Sequence, residues 1–243
     1  MTDNIINNQI DFYCLNFQNE NSRRQRMNKK SIYFKIPIHF YSGVTKVDPR
    51  ISFIEDENTR RCASICYGHL DMMNHFIKHS NKEYIVIMED DIIIRKTFSE
   101  DIIKALDIFI KYNYDILLLG YLCHNPIDTY CNFCQLPTEY SSDDFKIIDN
   151  YPSDCWGTQM YMLSKTQCKK LLRKYSVGYF ERTLYDSTLT PFSADWTITK
   201  DGKRCMLYPQ RAAEEYIENQ YEDEGQSICR YKCNEFIKKE DYI

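Results

Sequence analysis

The sequence predicts an α/β fold: a mixed, mostly parallel central sheet with helices on both faces. Three observations carry this. The run Ile85-Val86-Ile87-Met88 is short, β-branched and not alternating, which suits a strand buried on both faces. Helix-period segments precede and follow it, and Asp115-Ile116-Leu117-Leu118-Leu119-Gly120 then reads as a second buried strand, so the chain alternates strand, helix, strand. Cys155 to Leu163 supplies another long apolar stretch, closed by Ser164-Lys165-Thr166-Gln167 in the form of a capping box.

The elements in order are these. Asp11 to Phe17 reads as a first strand that breaks into a polar turn, and Ser22 is the expected N-cap of a helix carrying Arg23, Arg24 and Arg26. Cations at a helix start oppose the dipole, so these arginines either chelate an anion or line a solvated turn. Ile36 to Phe40 is a second strand, placed at an edge by Pro37, and residues 42–58 read as a polar surface loop. From Cys62 to His79, the positions Cys62, Cys66, Leu70, Met73 and Ile77 mark one face of a helix. His69 lies beside that stripe, as a packed residue or a functional one, while His75 and His79 belong to a wet face. Thr97-x-x-Glu100 has the capping-box form ahead of a helix ending near Tyr112. The stretch from Cys123 to Asp149 is irregular, and its lone Cys131-x-x-Cys134 lacks the second pair a structural zinc site needs. Met206 to Gln210 is the expected last strand, and residues 214–243 a charged C-terminal tail on a single domain spanning 1–243.

Bulk properties exclude several classes. A chain of 243 residues with 43% hydrophobic content can bury a large core. A net charge of -4 and a pI near 5.8, with no basic block, give no footprint for nucleic acid. No apolar run approaches bilayer length and Met1-Thr2-Asp3-Asn4 lacks a signal-like start, so the chain is expected to be soluble and cytoplasmic. Eleven cysteines without regular spacing suit reduced thiols.

The chemistry concentrates at Glu89-Asp90-Asp91, three carboxylates at the end of the Ile85–Met88 strand. Ligands of open α/β sheets collect at the carboxyl ends of strands, and adjacent anions are costly without a cation, so a hard divalent ion fits; a solvated acidic turn is the alternative. Gly157-Thr158, at the mouth of its strand, either admits a ligand close to the backbone or makes a tight turn. Asp195, beside Trp196, reads as a helix cap or as a catalytic base. GxGxxG, GxxxxGK[ST], GxSxG and HExxH are all missing from the sequence, which removes dinucleotide, P-loop, hydrolase-elbow and zincin readings in their usual forms.

The order of these pieces resembles glycosyltransferase family 25, the group of lipopolysaccharide-biosynthesis transferases and collagen galactosyltransferase domains. Leu15-Asn16-Phe17 followed by Arg23-Arg24, Ser64 to Leu70, Met88 to Asp91, Leu119-Gly120, Gly157 to Ser164, Asp195-Trp196 and Tyr208-Pro209 match its pieces in sequence order. Gly68 stands where the family has serine and Ile65 where cysteine is common; both leave His69 in place.

The resemblance implies a GT-A-type fold and a metal-dependent, inverting transfer of a hexose from a nucleotide sugar, UDP-linked, to a hydroxyl of a glycan or protein acceptor. Manganese or magnesium would be held by Glu89 and Asp91, with Asp90 structural or sugar-facing. Asn16 would face the nucleotide base, Arg23 or Arg24 the diphosphate, and His69, Gly157 and Thr158 the donor pocket. Asp195 would be the base. A nucleotidyltransferase and a catalytically inactive binding relative are the competing readings.

Overall fold

The computed structural model describes residues 6, 8–17, 19–123, 145–175, 178–215 and 238–243. Strand β1 (Ile10–Asn16) leads through helix α1 (Asn21–Phe34) to β2 (Ile38–Ser42), and helix α2 (Glu57–His79) leads on to β3 (Tyr84–Glu89). There follow β4 (Ile92–Ile94), α3 (Phe98–Lys111), β5 (Ile116–Cys123), β6 (Lys146–Asp149), β7 (Cys155–Ser164) and α4 (Lys165–Lys174). Two short helices, α5 (Tyr179–Thr183) and α6 (Ala194–Thr197), precede β8 (Arg204–Tyr208) and β9 (Ala212–Glu214).

The strands form one sheet of order β2-β1-β3-β7-β5-β8-β6, with β9 joining β5 and β4 joining β9. From the pairings, β1, β2, β3, β5, β8 and β9 run one way and β4, β6 and β7 the other. The sheet is therefore mixed and mostly parallel, as predicted.

Side-chain alternation along the strands sorts the core into two layers. Tyr13, Leu15, Ile85, Ile87, Leu118 and Tyr161 face a layer that contains α2, α4, α5 and α6. Phe12, Cys14, Val86, Met88, Leu117 and Met162 face α1 and α3 on the other side. Helices α1 and α2 thus cover opposite faces, and the strand order reverses at β1 between β2 and β3. In such sheets the crevice for ligands lies at the carboxyl ends flanking the reversal, here Asn16 and Glu89.

Several expectations are corrected. Ser22 is not the cap of α1: Glu20 holds the N-cap position, without a side-chain bond to the helix. The Thr97 capping box does not form, because the Thr97 hydroxyl donates to Asp101 Oδ2 at 2.6 Å and its backbone is not extended. Ser164 does cap α4, accepting from Gln167 N–H at 3.1 Å. The loop 42–58 is not wholly a surface feature, since Val44, Ile51 and Ile54 turn into the core. Strands β4, β6 and β9 are additional, so β8 is not the last strand. Within the segment expected as a tail, Glu214 ends β9 and residues 238–243 pack against β4, where Ile94 and Ile243 exchange backbone hydrogen bonds of 3.0 Å. Cys131 and Cys134 lie outside the described residues. Among the described residues, no helix is long and apolar enough to cross a membrane.

Candidate functional site

The end of β3 and the first residues of β7 meet because the two strands are antiparallel, with Met88 opposite Met160. This brings Thr158 onto the carboxylates, and its hydroxyl donates to Glu89 Oε1 at 2.6 Å. Gly157 is at φ +132, and a Cβ there would lie 2.8 Å from Tyr121 Cα, so the position demands glycine. Its N–H donates to Asp195 Oδ1 at 2.8 Å. Asp195 sits in the first turn of α6 behind an N-cap at Ser193, so its carboxylate is turned to β7 and does not cap the helix.

On the other flank, the Asn16 amide donates to Asp90 Oδ2 at 2.7 Å, and Arg23 Nη1 lies 3.2 Å from Asp90 Oδ1 and 3.3 Å from Asp91 Oδ2. Asp90 is buried, with both oxygens engaged, so it ties β1 and α1 to the acidic turn. Arg23 answers the question of why a helix should start on cations: the carboxylates of β3 lie in front of it. Arg24 is not brought into the cluster. Its guanidinium lies 4.5 Å from the centroid of the Phe40 ring.

His69 is fully buried on α2, which approaches β1 closely enough that a Cβ at Gly68 would lie 3.0 Å from Leu15 Cδ1. Its Nδ1 is 2.7 Å from the Tyr161 hydroxyl and its Nε2 is 3.9 Å from Glu89 Oε1. Burial holds its pKa down to about 3, so the ring is neutral and backs Glu89 without a charge.

The electrostatics of the cluster are unbalanced. Burial raises the pKa of Glu89, and the neighbouring Asp91 raises it further; burial and then Glu214 raise Asp91, against the lowering effect of Arg23. Asp195 is also raised by burial, opposed by the Gly157 N–H. Glu214 arrives because β9 pairs with β4, setting Glu214 opposite Ile92, and Glu215 N–H donates to the Asp91 carbonyl at 2.6 Å. Sequence reasoning assigned both glutamates to a tail. The one signal was Ala212-Ala213-Glu214-Glu215, two small apolar residues ending in acids.

Comparison with known proteins adds the following. No protein-family model matches the chain, and no curated protein does. Among solved structures, A197 from STIV is similar over 86% of this chain and 86% of that one, at 11% identity and a TM-score of 0.45. A glycosyltransferase involved in the glycosylation of the major capsid of PBCV-1 is similar over 74% of this chain and 76% of its own, at 8% identity and a TM-score of 0.38. HddC from Yersinia pseudotuberculosis is similar over 94% and 79%, at 10% identity and a TM-score of 0.37.

The site can be tested against a divalent cation on its own atoms. Asp91 Oδ1 is buried without a hydrogen-bond partner among the described residues, beside carboxylates whose proton affinity is raised. Glu89 and Asp91 keep 29% and 18% of their side chains accessible, so a ligand reaches them. The donors are hard oxygens, which suit magnesium or manganese. Among the described residues no three His, Cys, Asp or Glu side chains converge into a ready cage. The fit is therefore to an ion held by one or two carboxylates and completed by substrate phosphates and water.

Proposed function

We propose that this chain is a metal-dependent glycosyltransferase related to family 25. It moves a hexose from a nucleotide sugar, UDP-linked, to a hydroxyl of a glycan or protein acceptor with inversion. The observation that carries the reading is the acidic turn Glu89-Asp90-Asp91 at the strand-order reversal, with a buried Asp91 oxygen that has no hydrogen-bond partner among the described residues and with excess negative charge. The ordered motifs shared with family 25 support the choice of sugar transfer.

In this reading Asp91, with Glu89, would hold manganese or magnesium, and the ion would supply positive charge for the departing diphosphate. Arg23 stays beside Asp91 and contributes a second positive charge at the same end. Thr158 orients Glu89 through its hydroxyl, and the neutral His69 ring lies behind that carboxylate. Asp195, held by the Gly157 N–H, takes the proton of the acceptor hydroxyl as the acceptor oxygen bonds to the anomeric carbon and the bond to the diphosphate breaks. Its raised proton affinity suits a base. Asp90 and Asn16 fix the turn, and Arg24 lies outside this set.

Calorimetric titration of UDP with and without manganese, followed by a screen of UDP-sugars for sugar release, tests the reading. Manganese-dependent UDP binding and release from at least one donor is expected. Preference for a sugar phosphate with a nucleoside triphosphate would make it a nucleotidyltransferase, and no metal-nucleotide binding would make it an inactive relative.

A further inference from the structure

We propose that Cys123 and Cys155 form a redox site, a cross-strand dithiol that a peroxide converts to a disulfide. The two residues are direct partners in the β5–β7 ladder, and their sulfurs lie 3.0 Å apart. A disulfide needs a sulfur separation of about 2.05 Å with Cα atoms within about 7 Å, which a directly opposed antiparallel pair already satisfies. Closure therefore asks for a movement of about 1 Å and no strand rearrangement.

Geometry singles out this pair among the described cysteines. Lys200 donates from Nζ to the Cys155 carbonyl, and the ammonium is close enough to both sulfurs for each to act on it electrostatically. Cys14 and Cys205 donate instead to the Leu15 and Ile116 carbonyls, and Cys66 Sγ lies against the Thr197 hydroxyl.

Cys123 and Cys155 are themselves buried, which selects a small oxidant. One thiolate attacks a hydrogen peroxide oxygen, leaving a sulfenic acid and releasing water. The second thiolate attacks that sulfur and expels hydroxide, which leaves as water after taking up a proton. Two thiols become one disulfide, and one peroxide becomes two waters. The bond joins positions 123 and 155, and Cys155 lies two residues before Gly157, whose N–H holds Asp195. Oxidation thus fixes the strand that carries this amide, whatever reaction the site performs.

The test uses the full chain. Hydrogen peroxide treatment, unfolding, alkylation of the remaining thiols and peptide mapping should yield one peptide pair joined through Cys123 and Cys155, released by dithiothreitol. The joined form should unfold at higher urea than the reduced form, because the cross-link restricts the unfolded chain. Cys123→Ser and Cys155→Ser should each lose the joined pair and the urea shift. Recovery of both cysteines as alkylated thiols, or Cys123 joined to another cysteine, overturns the proposal; this reading uses the unmutated chain, so it stands even where a variant fails to fold.

Discussion

The Gly157 N–H donates to Asp195 Oδ1 at 2.8 Å, so β7 and α6 meet at a single carboxylate. The contact joins a glycine that must be a glycine to an acid whose proton affinity burial has raised. Asp195→Asn keeps an oxygen for that N–H and removes the proton acceptor. Transfer should fall about a hundred- to ten-thousand-fold while UDP binding by calorimetry is retained. An unchanged transfer rate would leave Asp195 only its contact with β7.

The acidic turn should make stability depend on pH in a known direction. Glu89 and Asp91 have raised pKa values in the folded state, from ordinary values of 4.5 and 3.8, so above that range the folded chain holds protons that the unfolded chain has released. Stability must then decline as pH rises from about 6.5 to about 8 in chelator, through Glu89; below about 6.5 the buried, neutral His69 opposes the carboxylates, because the unfolded chain takes up its proton. Asp48, lowered by its hydrogen bonds to Arg50, has the opposite sign, and its contribution is lost only as pH falls below the ordinary carboxylate range. Manganese should flatten the decline, since binding replaces the protons. Urea midpoints across that window, with and without the ion, measure it; a midpoint that rises with pH in chelator would contradict the charge imbalance.

Asp91→Asn separates ligation from architecture. The amide keeps the shape of the turn but is a poor ligand for a hard cation, so manganese affinity should fall by about a hundredfold or more. Removing one charge from beside Glu89 and Glu214 relieves repulsion, so the chelated variant should not unfold at lower urea than the parent. Wild-type manganese binding in the variant would move the metal off Asp91.

How much of this was legible depends on element length and on neighbours. The cores of β1, β3, β5, β7 and β8 and the stripes of α2 and α4 carry enough apolar residues to show their period. Strands β4, β6 and β9 have three, four and three residues, too few for any pattern, and Ala212-Ala213 lacks the branched side chains that mark strands. Glu214 was lost to a tail for that reason. The residues of the acidic turn were visible as chemistry, but their partners were not: Thr158 reaches Glu89 only because β7 runs antiparallel to β3, a direction that an apolar run does not encode. The Ser164 cap formed, and the Thr97 cap failed through competition. The Thr97 hydroxyl had Asp101 within reach and bonded it in place of the helix N–H groups.

Asp101 also carries the last prediction. Its Oδ2 lies 2.6 Å from Nε of Arg211, a fully buried arginine that stands immediately before β9. Asp101→Ala would leave that guanidinium buried without its carboxylate, a loss of about 3–5 kcal/mol for a broken buried pair. The damage should not stop at stability, because β9 delivers Glu214 to the acidic turn. The variant should therefore show both a lower urea midpoint and weaker pH dependence above the ordinary carboxylate range, as Glu214 no longer raises Asp91. Asp101→Asn, which retains one acceptor for Arg211, should recover part of both. An unfolding free energy within about 0.5 kcal/mol of the parent for Asp101→Ala would show that Arg211 is satisfied by its other contacts, among them the Pro209 carbonyl.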